Sequence, residues 1–222
     1  MSIPLPFFTQ YECRNESLPV YASDRRGIIT YEFNNFGYRN NIDYDETENN
    51  AGVYIGSSIT SGIGIDWANS FASISSRTIG VNCYHFAQGC MMVDNQEILR
   101  MLTLVKNSNL KPKYYVIQFI GLDRRYDINT GKTTLESNTQ KNIQLFEETF
   151  SKVEDLLKND VWCFVGADGT NSLMPDTIKN HSNCVLWNFP IIDLAGVNNH
   201  PGPKWHRVVS AGISNFLSKK FS

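Results

Sequence analysis

No stretch of this chain approaches the ~20 consecutive apolar residues that a membrane-spanning helix requires. Nor is there an excess of either charge: Lys and Arg number 20, Asp and Glu 22, for a net charge of −2. A near-neutral balance supplies neither the counterion release that drives nucleic-acid binding nor attraction to an anionic bilayer, so neither is expected as a partner. Cysteine is sparse and unpaired in pattern. Cys13, Cys83, Cys90, Cys163 and Cys184 are odd in number, widely spread and without a C-x-x-C pair. Disulfide frameworks favour even counts and zinc sites favour close pairs, so the five are expected to be reduced, mostly buried thiols. The start, Met1-Ser2-Ile3-Pro4-Leu5-Pro6, lacks the basic residues and continuous apolar stretch of a secretory signal, which predicts a cytoplasmic location. The acidic run Asp43-Tyr44-Asp45-Glu46-Thr47-Glu48 has no glycine at its sixth position, which argues against an EF-hand calcium loop and for a solvated one.

What is present is the composition of a globular chain. At 222 residues, 41 % hydrophobic and 19 % charged, it is long enough for one domain with a sizeable core. Residues 1–50, rich in Asn, Asp, Tyr and Phe, are expected to form an N-terminal extension packed on, or leading into, a domain over 51–222. Beyond Asn50, short apolar runs alternate with amphipathic segments. Residues 53–55, 79–86, 114–120, 161–165 and 184–189 predict buried strands. Helices are predicted over 66–78, from Asp94 with Glu97 as capping-box partner, over 138–158, and over 204–217. The alternation predicts an α/β fold: a three-layer α/β/α sandwich around a mostly parallel, flavodoxin-like sheet of about five strands. In such sheets the site lies at the carboxyl ends of the strands.

The residues that follow the strands are therefore the candidates. After the first comes Gly56-Ser57-Ser58-Ile59-Thr60-Ser61-Gly62. A phosphate loop would need a lysine and a different glycine spacing, and a lipase-type nucleophile elbow would need glycine at position 60. The remaining G-x-S-x-T predicts an exposed Ser58 at a helix start, beside backbone N–H groups able to hold an oxyanion. After the second strand, Gly89 is a turn glycine or a second N–H donor. After the third, Asp123, Arg124 and Arg125 form a solvated turn with ion pairs, or line the substrate side. Four histidines limit the choice of base: His85, His181, His200 and His206. His200, before Pro201 on the loop to the last helix, is the candidate general base. His206 is the second choice, unless it packs along that helix.

In order and spacing these pieces resemble the SGNH/GDSL hydrolase superfamily. Gly56-Ser57-Ser58 is similar to its first block, Gly89 falls where the oxyanion glycine stands, and His200-Pro201-Gly202 is similar to its last block. Upstream, Asn35-Phe36-Gly37-Tyr38-Arg39 is similar to the N-x-x-G-[FY]-R segment of many such enzymes. The third block, G-x-N-D, aligns with Ile120-Gly121-Leu122-Asp123, with leucine in place of the asparagine donor. The aspartate before the histidine is missing too: Val197 and Asn198 stand there, and Asp193 substitutes only if the loop folds back. The resemblance implies a serine esterase for small acyl esters, with acetylated carbohydrate as the suggested class and no metal or organic cofactor. Ser58 would be the nucleophile, His200 the base, Asn198 its orienting partner, and Ser58 and Gly89 the oxyanion donors. The two departures leave open a carbohydrate-binding or structural module on the same scaffold. An O-acyltransferase using the same residues also stays open, because the acceptor is a matter of site access. The oligomeric state has no signature in the sequence.

Overall fold

The sheet strands form where apolar residues run continuously, and the helices where they recur at spacings of three and four. The computed structural model describes residues 18–20, 29–31, 34, 38–40, 42–45, 47–87, 94–127, 130, 132–166, 175–187, 189–195 and 200–222. Two short strands, β1 (Leu18–Val20) and β2 (Ile29–Tyr31), pair antiparallel. Five others, β3 (Ala51–Gly56), β4 (Asn82–Ala87), β5 (Tyr114–Phe119), β8 (Trp162–Gly166) and β9 (Cys184–Leu186), form one sheet. Every pairing in it is parallel, in the order β4-β3-β5-β8-β9. Numbered within the sheet this is 2-1-3-4-5, the flavodoxin-like order, whose direction of winding reverses between β3 and β5. Between β5 and β8 lies a hairpin, β6 (Arg124–Asp127) with β7 (Lys132–Leu135), where the sequence predicts only a turn.

The sheet buries both faces, and alternate residues go to opposite sides. Val53 and Ile55, Tyr115, Ile117 and Phe119, and Trp162 and Phe164 face one core, covered by α2 (Asn95–Lys106) and α3 (Thr139–Leu157). Tyr54, Tyr114 and Val116, Cys163 and Val165 face the other, covered by α1 (Phe71–Ile79) and α5 (Pro203–Phe221). A short helix, α4 (Asp176–Lys179), precedes β9. The predicted stripe on α3 is the buried one: Phe146, Phe150, Val153 and Leu157 point inward, with Ile143 at its edge.

Helix starts follow local chemistry with two departures. Asp94 caps α2, its Oδ1 accepting the Glu97 N–H at 2.8 Å, but the Glu97 carboxylate goes to Arg100 rather than back to Asp94. The segment 66–78 divides into a 3₁₀ turn (Trp67–Asn69) and α1, because Ser70 accepts the Ser73 N–H and restarts the helix. Tyr38 and Tyr44, from the polar N-terminal segment, are buried against Tyr84 and Phe86, so within the acidic run Asp43, Asp45 and Thr47 are exposed while Tyr44 is not. Cys83 and Cys163 are buried and Cys184 half-buried, all three as free thiols; Cys13 and Cys90 lie outside the described residues. Among the described residues no helix is long and apolar enough to cross a membrane.

Candidate active site

Ser58 lies two residues beyond β3, at the carboxyl edge where the sheet order reverses. It is not at a helix start as expected. The chain runs through successive turns, with Ser61 N–H bonded to Ser57 O, Gly62 N–H to Ile59 O and Ile63 N–H to Ser58 O, and the first α-helix begins only at Phe71. The Ser58 N–H itself donates to no acceptor among the described residues. Ser58 is half-exposed, and its Oγ lies 2.8 Å from His200 Nε2, a contact between residues 142 apart in sequence.

The turn is held from two sides. Below it, the fully buried Gln118 on β5 accepts the Ser57 N–H, the Ser57 hydroxyl and the Thr60 hydroxyl on one oxygen. Beside it, the buried Arg39 guanidinium donates to the carbonyls of Ser61, Gly62 and Ile65, the last at 2.6 Å. Arg39 is anchored in turn by its own carbonyl, which accepts His85 Nε2–H. Burial pushes the His85 imidazole down to about 3, so its ring is neutral. Neither Gln118 nor the clamping role of Arg39 was found from sequence. The available signal for Gln118 was one amide in an otherwise apolar and aromatic strand, Tyr114–Phe119.

His200 is presented by a loop that closes on itself. Leu194 and Pro201 form a β-bridge, Ala195 N–H donates to His200 O at 2.7 Å, and Gly202 N–H donates to Asp193 O. The loop thus folds back as Asp193 would need, but the carboxylate has another use. It accepts the N–H groups of Lys204 and Trp205, each at 2.8 Å, neutralising the open amino end of α5. Gly202 permits this approach, since a Cβ there would lie 2.5 Å from Asp193 Oδ2. His206, the second choice of base, is excluded by burial. Its Nδ1 accepts the Phe71 N–H, and desolvation pushes its imidazole down to about 3 against the opposing pull of Asp193.

Gly89 and Asn198 lie outside the described residues, as do Asn35, Phe36 and Gly37 of the upstream segment. Leu122 is a core residue on the α2–α3 side. Counted from its glycine, G-x-N-D sets Asp123 rather than Leu122 opposite the asparagine, and the burial of Leu122 favours that register. Asp123 and Arg124 are half-exposed where β5 leads into the hairpin, and Asp123 O accepts the Glu136 N–H. Arg125 is half-exposed like its neighbours, but its head group is engaged. Its guanidinium donates to Leu122 O and Arg124 O, both at 2.7 Å, and to Asn142 Oδ1. Among the described residues no group of three His, Cys, Asp or Glu is placed to hold a metal ion.

No protein-family model matches the chain, and no curated protein matches it. Solved structures do match. A carbohydrate esterase family 2 enzyme with a carbohydrate-binding domain from Corynascus thermopiles is 12 % identical at a TM-score of 0.54, over 80 % of this chain and 68 % of that one. A family two carbohydrate esterase from Clostridium thermocellum, solved with cellohexaose, is 14 % identical at 0.53, over 84 % and 69 %. A putative lipolytic protein of the G-D-S-L family from Desulfitobacterium hafniense DCB-2 is 13 % identical at 0.51, over 76 % of this chain and 99 % of that one. With its five parallel strands in 2-1-3-4-5 order between two helical layers, this chain has the SGNH/GDSL hydrolase-like fold.

Proposed function

We propose that this chain is a serine esterase that removes small acyl groups, acetyl among them, from carbohydrate through an acyl-serine intermediate. One observation carries the reading: Ser58 Oγ and His200 Nε2 stand at hydrogen-bond distance on the sheet edge where such sites form. His200 Nε2 takes the Ser58 hydroxyl proton as Oγ attacks the ester carbonyl. The developing oxyanion is held by the Ser58 N–H and by the Gly89 N–H. Collapse expels the sugar alkoxide, which takes the proton from His200. Water, deprotonated by His200, then attacks the acyl-serine, releasing the carboxylic acid and restoring the Ser58 hydroxyl. Asn198 orients the imidazole in this scheme, and Asp123 and Arg124 line the substrate side. No step requires a metal or organic cofactor. The carbohydrate class is supported by the esterases that share the fold, which is an argument from fold alone.

Hydrolysis of p-nitrophenyl acetate and of acetylated xylan by the wild type, Ser58→Ala and His200→Asn tests the proposal. Turnover by the wild type and a loss of more than about 10³-fold in each variant is expected. A wild type no faster than its variants would refute it.

A second reading, a carbohydrate-binding module without turnover, draws on one observation: neither Leu122 nor Asp123 offers the amide donor of the G-x-N-D block. Calorimetric binding of xylan oligosaccharides to wild type and Ser58→Ala, with no hydrolysis by either, would favour it. Adding an acceptor sugar to the assay and following acetylated product separates transfer from hydrolysis.

A further inference from the structure

The G-x-S-x-T pattern converges on a side chain that the pattern does not contain. Gln118 lies fully buried in β5, beneath the turn that carries Ser58. Chemistry alone orients its amide. Ser57 N–H can only donate, so the atom 2.9 Å from it is Oε1; Phe119 O can only accept, so the atom 3.1 Å from it is Nε2. With Oε1 an acceptor, Ser57 Oγ at 2.8 Å and Thr60 Oγ1 at 2.9 Å must both donate to it. Gly56 completes the arrangement, because a Cβ there would lie 2.2 Å from Thr60 Oγ1 and 2.8 Å from Gln118 Oε1. Three residues of the segment, Gly56, Ser57 and Thr60, therefore serve one buried contact. The fourth, Ser58, meets His200.

We infer that Gln118 is the positioning residue of the nucleophile, tying the residues on both sides of Ser58 to one point on the rigid sheet. The inference rests on the reading of Ser58 as nucleophile given above. Ser57 immediately precedes Ser58 and Thr60 follows it by two, so anchoring both fixes the backbone of Ser58 between them. A turn of small hydroxyl residues otherwise has many conformers, whose entropy the contact removes. The outcome is functional in two ways: Oγ points at the imidazole, and the Ser58 N–H meets no acceptor among the described residues. A displacement of ~1 Å at a reacting atom costs about 10²-fold in rate.

Two variants separate positioning from mere packing. Gln118→Met keeps the length of the side chain and loses the acceptor. Gln118→Glu, held protonated by burial, keeps a carbonyl oxygen for the three donors and offers O–H to Phe119 O. With p-nitrophenyl acetate, Gln118→Met is expected to lower kcat about 10²-fold with KM little changed, and Gln118→Glu to recover most of that loss. Loss of packing alone would follow the melting temperature of each variant instead. Equal losses in both variants, or wild-type kcat in Gln118→Met, would overturn the inference. Should Gln118→Met not fold, the double variant Ser57→Ala with Thr60→Val withdraws two of the three donors and leaves the strand intact. A kcat loss of about 10-fold or more is expected there, and an unimpaired double variant overturns the inference.

Backbone amide exchange provides a readout independent of turnover. The N–H groups of Ser61, Gly62 and Ile63, bonded within the turn, should exchange faster in Gln118→Met, or in the double variant, than in Gln118→Glu. A wild type inert toward esters would sink the esterase reading alone. The exchange rates would then still decide whether Gln118 sets the turn, with unchanged protection counting against it.

Discussion

His206 of α5 caps α1: its Nδ1 accepts the backbone N–H of Phe71 at 3.0 Å. An imidazole that accepts at Nδ1 is neutral, and burial keeps it so, holding both His206 and His85 down to about 3. The unfolded chain binds these protons near 6.5 while the folded chain refuses them until about 3. Their stabilisation is therefore complete above pH 6.5 and is lost as pH falls from there toward 3. Each contributes a slope of about 1.4 kcal/mol per pH unit inside that window. The urea midpoint is expected to drop between pH 7 and pH 5 by up to two protons' worth, and by one fewer in His206→Asn. A midpoint constant over that range would contradict the neutral, buried assignment.

Asp193 is a helix cap in this structure, which separates it from a triad acid by experiment. Asp193→Ala removes the acceptor of the Lys204 and Trp205 N–H groups and is expected to cost about 1–2 kcal/mol of stability. Asp193→Asn keeps one acceptor and should lose less than about 10-fold in kcat. An acid serving the imidazole would instead lose about 10⁴-fold on that change.

Asp123 offers a gain-of-function test within the esterase reading. A carboxylate only accepts hydrogen bonds, whereas the asparagine of a G-x-N-D block can donate one to an oxyanion. Asp123→Asn is expected to raise kcat on p-nitrophenyl acetate by about 10- to 10²-fold, part of what one oxyanion donor is worth. An unchanged or lower rate would place position 123 outside the oxyanion site.

Arg39 holds three carbonyls of the turn that carries Ser58 with a planar fork that lysine cannot reproduce. Arg39→Lys is expected to lose about 2–3 kcal/mol, measured by urea unfolding, and to speed amide exchange over residues 61–65. A variant with wild-type stability and exchange would show that the turn stands without the clamp.

Much of the fold was legible in the chain because its signals are local. The continuous apolar runs that become β5 and β8 and the three-and-four spacing that becomes the buried stripe of α3 lie within single elements. The β6–β7 hairpin was missed because residues 124–135 are mostly charged and hydroxyl-bearing, with no apolar alternation to mark them. Ser58 and His200 were candidates from residue type and their place after predicted elements.

Distance in the chain decided the rest. That Ser58 and His200 meet across 142 residues depends on the sheet order and on a loop closed by Leu194 and Pro201. Whether Asp193 serves an imidazole or a helix end, and whether His206 is a base or a cap, turns on which backbone N–H groups reach each one. Gln118 was one polar letter in a buried strand, and nothing beside it in sequence names Ser57 and Thr60 as its partners. Local propensity is written in neighbours. Which distant donors share a buried acceptor is settled only when the layers pack, because an unsatisfied polar group there would cost more than the contact gains.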